Sequence, residues 1–156
     1  MFLEVKNLSV SYRDESGFVK EAAKDVSFSL EKGEVLGLLG ESGSGKSSVA
    51  MSVPRLLPSP PAFYPQGRIL LDGEDILSMP LSRLRKVRGE KIGVVFQDPI
   101  GSLSPLWRIA DQMAEKMLLH RDVTKSNALE HALDWLAKVS IPDPERVARS
   151  YPHELS

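Results

Sequence analysis

The chain has 156 residues, of which 42% are hydrophobic and 26% charged, and its formal net charge is −1. This composition is typical of a globular domain and excludes a disordered chain, while the near-zero charge excludes a general attraction to nucleic acid or acidic lipid. Because the sequence contains no cysteine, disulfides and thiolate metal sites are excluded as well.

The beginning of the chain is predicted to form antiparallel strands. Residues 3–12 alternate between apolar and polar side chains, with a change of phase at Lys6-Asn7 that indicates a β-bulge. Residues 26–30 alternate again, and residues 67–76 predict two short strands joined by a turn at Asp72-Gly73.

A second kind of strand is predicted on either side of a helix. Residues 35–39 and 92–96 are apolar throughout, which is typical of parallel strands covered on both faces. Residues 46–57 predict a helix, and Pro54 is expected to kink it because a proline inside a helix costs about 3 kcal/mol. The prolines that follow predict a loop.

The last third of the chain is predicted to be helical. Apolar side chains recur at helical spacing over residues 106–117 and again over residues 129–136, with Thr124 as the N-cap of the second helix. Asp143, followed by a proline, predicts the start of another short helix. Together the patterns indicate one α/β domain.

Residues 40–48, GESGSGKSS, contain the pattern G-x-x-x-x-G-K-[ST] directly after an apolar strand. Glycine lets the backbone turn so that several N–H groups converge on a phosphate, and the positive end of the following helix faces the same anion. Lys46 would bring an ammonium group to the β- and γ-phosphates, and Ser47 would offer a hydroxyl oxygen to Mg²⁺. A flexible glycine-serine linker is the alternative, but the flanking strand and helix favour a nucleotide-binding loop.

Two further stretches indicate the class of phosphate-binding loop. In IGVVFQDPIGSLSPLWRI, residues 92–109, an apolar strand ends at Gln97 and leads through Asp-Pro and small residues into a helix. The other stretch is YPHELS at residues 151–156. Together with residues 40–48, they resemble the ATP-binding subunits of ABC transporters, and most of all the branch that serves dipeptide, oligopeptide and nickel importers. The resemblance runs in order along essentially the whole chain.

The resemblance implies an α/β fold, with the P-loop NTPase core of the ABC type, an N-terminal antiparallel β subdomain and the start of a helical subdomain. The chain is expected to be the N-terminal part of one such ATPase domain, and therefore incomplete. Its subdivisions would be residues 1–34, mainly antiparallel β; residues 35–99, from the phosphate-binding loop to the Q-loop; and residues 100–156, the helical subdomain.

The resemblance also implies roles for particular residues. Tyr12 matches the aromatic residue that stacks on adenine, with an edge-strand tyrosine as the alternative. Gln97 matches the Q-loop residue that reaches Mg²⁺ and the attacking water, with a polar strand cap as the alternative. Lys46 and Gln97 are thus the expected catalytic residues, and Ser47 and Gln97 the expected Mg²⁺ ligands. The expected nucleotide-binding residues are Tyr12, Gly40, Glu41, Ser42, Gly43, Ser44, Gly45, Lys46, Ser47, Ser48 and Gln97, with Ser48 near the α-phosphate.

The sequence departs from the family pattern in three places. Pro54 replaces an ordinary helix former, and Ser104 stands where the branch usually has Asn. After Ser156 the resemblance implies the rest of the signature motif, the Walker B aspartate, a catalytic glutamate, the D-loop and a switch histidine. Because hydrolysis needs Mg²⁺ held from two sides and a carboxylate near the water, the chain is expected to bind ATP without hydrolysing it. Apolar sheet edges left open are expected to cause marginal stability and self-association.

The predicted function is therefore that of the ATP-binding subunit of an ABC importer for peptides or a related small solute, with ATP and Mg²⁺ as cofactors. The expected partners are transmembrane permease subunits, a second ATP-binding subunit and, indirectly, an extracytoplasmic solute-binding protein; no nucleic acid is expected. No apolar stretch approaches the roughly 20 residues that cross a bilayer. The resemblance implies a cytoplasmic location, peripheral on the inner face of the cell membrane.

Three alternatives come from other classes. The first is an ABC-type ATPase of DNA repair or translation, and the second is a non-catalytic fragment that binds nucleotide. The third is a small-molecule kinase, for which the sequence shows no lid or acceptor site.

Several other side chains are interpreted as structural. The histidines, which lack metal-ligand spacing, are His120, His131 and His153. The basic residues between positions 82 and 91 are interpreted as a solvated helix face, with a surface for an acidic partner as the alternative. Trp107 and Trp135 are interpreted as packing residues. By resemblance, the segment after Gln97 would meet the permease through Leu103, Leu106 or Trp107.

Overall fold

The computed structural model describes residues 1–99 and 101–155. The chain forms two compact units, Met1–Arg85 and Lys86–Ser156. The first unit contains an antiparallel sheet and the glycine-rich loop, and the second is helical. Ile100 and Ser156 lie outside the described residues, so the interpretation of Ser156 as the start of a signature motif stays a prediction.

A four-stranded sheet forms the body of the first unit. Its strands are antiparallel and lie in the order β2-β1-β3-β4. Their bounds are β1 (Leu3–Arg13), β2 (Val19–Leu30), β3 (Ala62–Leu71) and β4 (Glu74–Asp75). The side chains of Leu8 and Val10 in β1 and of Ile69 in β3 are fully buried. The predicted antiparallel strands are thus confirmed, and the sheet extends to residues well beyond position 34.

The predicted β-bulge in β1 is confirmed. The register between β1 and β2 shifts between Val5 and Leu8, and Asn7 takes a left-handed backbone conformation with φ 47°. The Asn7 amide donates to Ser27 Oγ (2.8 Å), and its side-chain Nδ2 donates to Asp25 Oδ1 (2.8 Å). The bulge is therefore fixed by side chains of β2 as well as by the strand ladder.

The helix after the glycine-rich loop is shorter than predicted. Helix α1 covers Lys46–Ser52, so Pro54 lies beyond its end and does not kink it. Proline has no N–H to donate and its ring clashes with the carbonyl four residues earlier, so the helix ends before it. In the last turn Val53 donates to the Ala50 carbonyl (3.3 Å), and Arg55 then reverses the chain with φ 52°.

Arg55 connects this reversal to the segment after β4. Its Nη1 atom donates to the carbonyl oxygens of Ile76 (3.1 Å), Leu77 (3.2 Å) and Met79 (2.7 Å). The two hydrogens of this one amino group are shared among three acceptors, so at least one of the hydrogen bonds is bifurcated. The partly buried Arg55 side chain therefore satisfies backbone acceptors that no strand pairs.

The two apolar segments are not the buried strands that the sequence predicts. Residues 35–39 and 92–96 belong to no strand or helix of the described chain, and Val35, Leu39 and Val95 are 94%, 93% and 95% exposed. An apolar parallel strand becomes buried only when it has neighbours along both edges and helices on both faces. The four strands described here form one sheet that includes neither segment, so these conditions are not met.

The second unit is built from helices, and the predicted caps are confirmed. Thr124 accepts from the Asn127 amide, and Asp143 accepts from the Arg146 amide, each at 3.3 Å. The core between the helices contains Ile109, Leu136, Val147 and Ala148. The helices of this part of the chain are α2 (Leu81–Glu90), α3 (Ile109–His120), α4 (Lys125–Lys138) and α5 (Pro144–Arg149), with the division between the units falling inside α2.

The apolar face of α3 begins later in the sequence than predicted. Leu106 precedes α3 and is 82% exposed, so the predicted apolar face of that helix starts at Ile109 instead.

None of the helices in the described part of the chain combines the length and the apolar character that a bilayer crossing requires.

Candidate nucleotide-binding site

The glycine-rich loop joins residue 39 to α1, and glycine is required where the loop meets β2. Gly45 lies directly before α1 with φ 87°, and Gly43 has φ 79°, so both take the left-handed conformation that side chains disfavour. A Cβ atom on Gly45 would overlap the carbonyl oxygen of Ala22 in β2. The loop therefore packs its backbone directly against β2.

The Lys46 ammonium lies over the inside of the loop. Its Nζ atom donates to the carbonyl oxygens of Gly40 (2.8 Å) and Glu41 (2.6 Å) and approaches Ser44 Oγ at 3.4 Å. The loop thus holds a positive charge at its centre through backbone acceptors. A phosphate oxygen placed there would accept from the same ammonium group, and its negative charge would make that hydrogen bond stronger.

A groove of about 450 Å³ joins the loop to the β1–β2 hairpin. Tyr12 reaches across it, since its hydroxyl lies 3.0 Å from Ser48 Oγ in α1. The structure therefore brings Tyr12 to the loop, as the family resemblance implies. The groove is lined by Tyr12, Lys20, Glu21, Ala22, Gly43, Gly45, Lys46, Ser47 and Ser48.

The remaining residues predicted for the site lie in the same loop or in the second unit. Gly40, Glu41, Ser42 and Ser44 belong to the loop and are exposed, without lining the groove. Gln97 lies in the second unit, directly after residues 92–96, and is exposed. Its roles toward Mg²⁺ and water therefore stay predictions.

Three groove residues were not found by sequence reasoning, namely Lys20, Glu21 and Ala22. They belong to β2, which pairs with β1 so that Tyr12 is directly opposite Lys20 and Ser11 opposite Glu21. The hairpin between residues 12 and 20 contains no strong glycine-asparagine signal, so its register could not be read from the sequence. Ala22 matters through its backbone carbonyl, which a sequence pattern does not reveal.

The residues present suit a magnesium-bound triphosphate. Ser47 is exposed, lines the groove and follows Lys46 in the first turn of α1. Mg²⁺ prefers hard oxygen ligands and usually shares them with substrate phosphates, so a single protein hydroxyl is sufficient on this side. Among the described residues, no group of three or more His, Cys, Asp and Glu side chains could hold a metal ion by itself.

The segment after Gln97 is held by a glutamine that sequence analysis missed. Gln112 of α3 accepts from the Ser104 amide (2.8 Å), and its Nε2 atom donates to the carbonyls of Ser104 (3.0 Å) and Trp107 (2.9 Å). Asp98 also accepts from the Gly101 amide at 2.9 Å. These bonds fix residues 104–107 against the start of α3.

Replacement of Gln112 by alanine should loosen residues 104–107 while leaving α3 intact. The Ser104 amide loses one hydrogen bond, which contributes about 0.5–1.5 kcal/mol, so hydrogen exchange at this amide should accelerate by about 2- to 13-fold. Glu115→Ala, on an exposed turn of the same helix, is the matched control and should leave that exchange rate unchanged. Equal exchange rates in the wild type and Gln112→Ala would contradict this account.

The family of the chain follows from its match to known sequences. The sequence pattern of the ABC transporter family matches residues 23–156, so the chain belongs to that family. Its fold is shared with the dimeric structure of MJ0796, a bacterial ABC transporter cassette, at a TM-score of 0.83 and 24% identity over 99% of this chain and 63% of that one. A post-hydrolysis structure of the same cassette, bound to ADP and Pi, gives the same TM-score of 0.83. The predicted α/β fold of the ABC type is confirmed.

Curated relatives also match nearly the whole chain. The peptidoglycan transport ATP-binding protein YejF of Agrobacterium fabrum is 46% identical over 99% of this chain and 28% of its own length. The oligopeptide transport ATP-binding protein OppD of Bacillus subtilis is 40% identical over 99% of this chain and 43% of its own length. The dipeptide transport ATP-binding protein DppD of Lactococcus lactis is 42% identical, with shares of 99% and 44%. The predicted resemblance to peptide-transport ATP-binding proteins is confirmed, and the chain spans less than half the length of these relatives.

Proposed function

We propose that this chain provides the ATP-binding site of a subunit that powers the import of peptides or a related small solute. The observation that carries the proposal is the groove in which Tyr12, Lys46, Ser47 and Ser48 lie together in a chain of the ABC transporter family. The names of the relatives, which concern oligopeptide, dipeptide and peptidoglycan transport, support a peptide-like solute.

Each side of the groove suits a different part of the nucleotide. Tyr12 lines the groove and would stack on adenine through its aromatic ring. Lys46 would bind the terminal phosphates in place of the loop carbonyls that it contacts here, and Ser47 would supply one oxygen ligand to Mg²⁺. Bound Mg²⁺ would neutralise the phosphate charge, and Gln97 would approach it from the Q-loop.

We also propose that these 156 residues bind ATP but do not hydrolyse it alone. Hydrolysis requires a second protein ligand to Mg²⁺ and a carboxylate that polarises the attacking water. The family resemblance assigns both groups to motifs that follow residue 156. A phosphate-release assay with excess MgATP should therefore show no turnover that depends on Lys46.

The proposed partners are the subunits that transport across a membrane requires. Two transmembrane permease subunits and a second ATP-binding subunit would complete the assembly, with a solute-binding protein outside the membrane. The protein would lie in the cytoplasm against the inner face of the membrane. The exposed Leu106 and Trp107 (82% and 50%) near the start of α3 suit contact with a permease.

The test of the proposal is MgATP binding by calorimetry or by displacement of a fluorescent ATP analogue. Lys46→Met should lower the affinity by about 10- to 100-fold, because a charge-assisted hydrogen bond contributes about 1.5–3 kcal/mol. Lys32→Met removes the same charge from an exposed turn, where the ammonium lies 6.0 Å from the Phe2 ring centroid, and should bind as the wild type does. The proposal fails if the wild type does not bind MgATP or if both variants bind it equally well.

A further inference from the structure

The β1–β2 hairpin places a second lysine at the groove. Lys20 is directly opposite Tyr12 in the antiparallel pair, and directly opposite residues carry their side chains on the same face of a sheet. That face is the one turned toward α1, because the Tyr12 hydroxyl lies 3.0 Å from Ser48 Oγ. Lys20 also lines the groove together with Lys46 and Ser48. The two lysines therefore border one groove from separate elements.

The ammonium of Lys20 is available for a ligand. Lys20 is exposed, and within residues 1–99 and 101–155 its side chain forms no salt bridge or hydrogen bond. The neighbouring acid, Glu21, is opposite Ser11 and also lines the groove. Its carboxylate lies 3.9 Å from the Lys24 ammonium, so Lys24 rather than Lys20 offsets its charge.

The turn of the hairpin fixes Lys20 relative to Tyr12. Asp14 donates its amide to the Phe18 carbonyl (3.1 Å) and accepts from the Phe18 amide at Oδ1 (2.9 Å). Ser16 Oγ donates to the same oxygen at 2.6 Å, and chiefly this bond lowers the pKa of the exposed Asp14 carboxyl from its ordinary value. The carboxylate is thus ionised at neutral pH, and the strands enter and leave the turn in a fixed register.

We propose that Lys20 binds the nucleotide through its α-phosphate, from the hairpin side of the groove and opposite Lys46. This inference rests on the proposed function of the groove. Tyr12 contacts Ser48, so the position for the base and the position near the α-phosphate adjoin each other. The α-phosphate is then the negative group nearest to Lys20, and a flexible four-carbon stem lets the ammonium reach it. Lys46, held at the centre of the loop, serves the terminal phosphates instead.

The test compares ligands that do and do not carry the α-phosphate. ATP, AMP and adenosine would each displace a fluorescent ATP analogue from the wild type, Lys20→Met and Lys20→Arg. Lys20→Met should bind ATP about 3- to 10-fold more weakly, and AMP more weakly by a similar factor. This loss of affinity lies between the loss expected for an exposed ion pair and that expected for a desolvated one. Adenosine should bind equally well to all three proteins, and Lys20→Arg should keep most of the affinity for ATP.

Controls separate this inference from the function on which it rests. Lys24→Met removes an equal charge from the same strand outside the groove and should bind ATP as the wild type does. If the wild type binds ATP and Lys46→Met does not, but Lys20→Met matches the wild type, the Lys20 contact is disproved and the proposed function stands. Equal weakening of adenosine and ATP in Lys20→Met would disprove the phosphate contact. Absence of ATP binding by the wild type would overturn both proposals.

Discussion

Gly45→Ala is expected to remove measurable MgATP binding and to lower the thermal unfolding midpoint of the protein. Gly45 has φ 87°, and its new methyl group would overlap the Ala22 carbonyl of β2. That oxygen belongs to backbone in the sheet and cannot rotate away, so the loop has to move off β2 instead. The groove between the loop and Tyr12 would then change shape, and its alignment of Lys46 with Ser47 would be lost.

The control for Gly45→Ala is a variant that strains the backbone in the same way but whose new methyl group overlaps no other atom. Gly33→Ala meets this need, because Gly33 has φ 82° and no atom within 4 Å of the added methyl group, and it lies outside the groove. A left-handed alanine costs about 1–2 kcal/mol, so Gly33→Ala should lose some stability but keep its affinity for ATP. ATP binding by Gly45→Ala at wild-type affinity would show that the loop does not depend on its contact with β2.

Gly67→Ala is expected to destabilise the first unit far more than alanine at a glycine with open space around it. Gly67 has φ 104° and faces the β-bulge, where an added methyl group would lie 2.6 Å from the Asn7 carbonyl oxygen and 2.5 Å from Leu8 Cα. Both are backbone atoms beside the fully buried Leu8 side chain, so β1 and β3 would have to separate. Overpacking and left-handed strain together predict a loss of about 2–5 kcal/mol in the free energy of unfolding.

Urea unfolding followed by circular dichroism measures this loss against Gly73→Ala. Gly73 lies in the turn between β3 and β4 with φ 81° and has no neighbour within 4 Å of an added methyl group. Its replacement should therefore cost only the strain of about 1–2 kcal/mol. Similar unfolding midpoints for the two variants would mean that the bulge yields to the methyl group, against the packing described here.

The sequence predicted well those features that local chemistry determines. The bulge at Asn7, the turn at Asp72-Gly73 and the caps at Thr124 and Asp143 depend on a few neighbouring residues, and the structure contains all of them. The family match likewise confirms the class of the glycine-rich loop. In each case the pattern that was recognised is itself the cause of the structure.

The sequence predicted less well those features that depend on distant parts of the chain. Apolar residues 35–39 and 92–96 read as buried strands, but burial requires neighbours that a local pattern cannot supply, and both segments are exposed. Pro54 was placed inside a helix because periodicity continues past it, whereas the helix ends at Ser52. The roles of Lys20 and Gln112 were not predicted. Lys20 lies at the groove because of the register between β1 and β2, and Gln112 binds the loop that precedes α3.

The exposed segment at residues 35–39 has a consequence for synthesis in the cell. All four strands of the sheet are available once Asp75 has left the ribosome, so the sheet can form while translation continues. Residues 35–39 lie within that finished stretch and still expose aliphatic side chains. A holdase chaperone that recognises exposed aliphatic side chains would therefore find such a site on a nascent chain whose sheet has already formed.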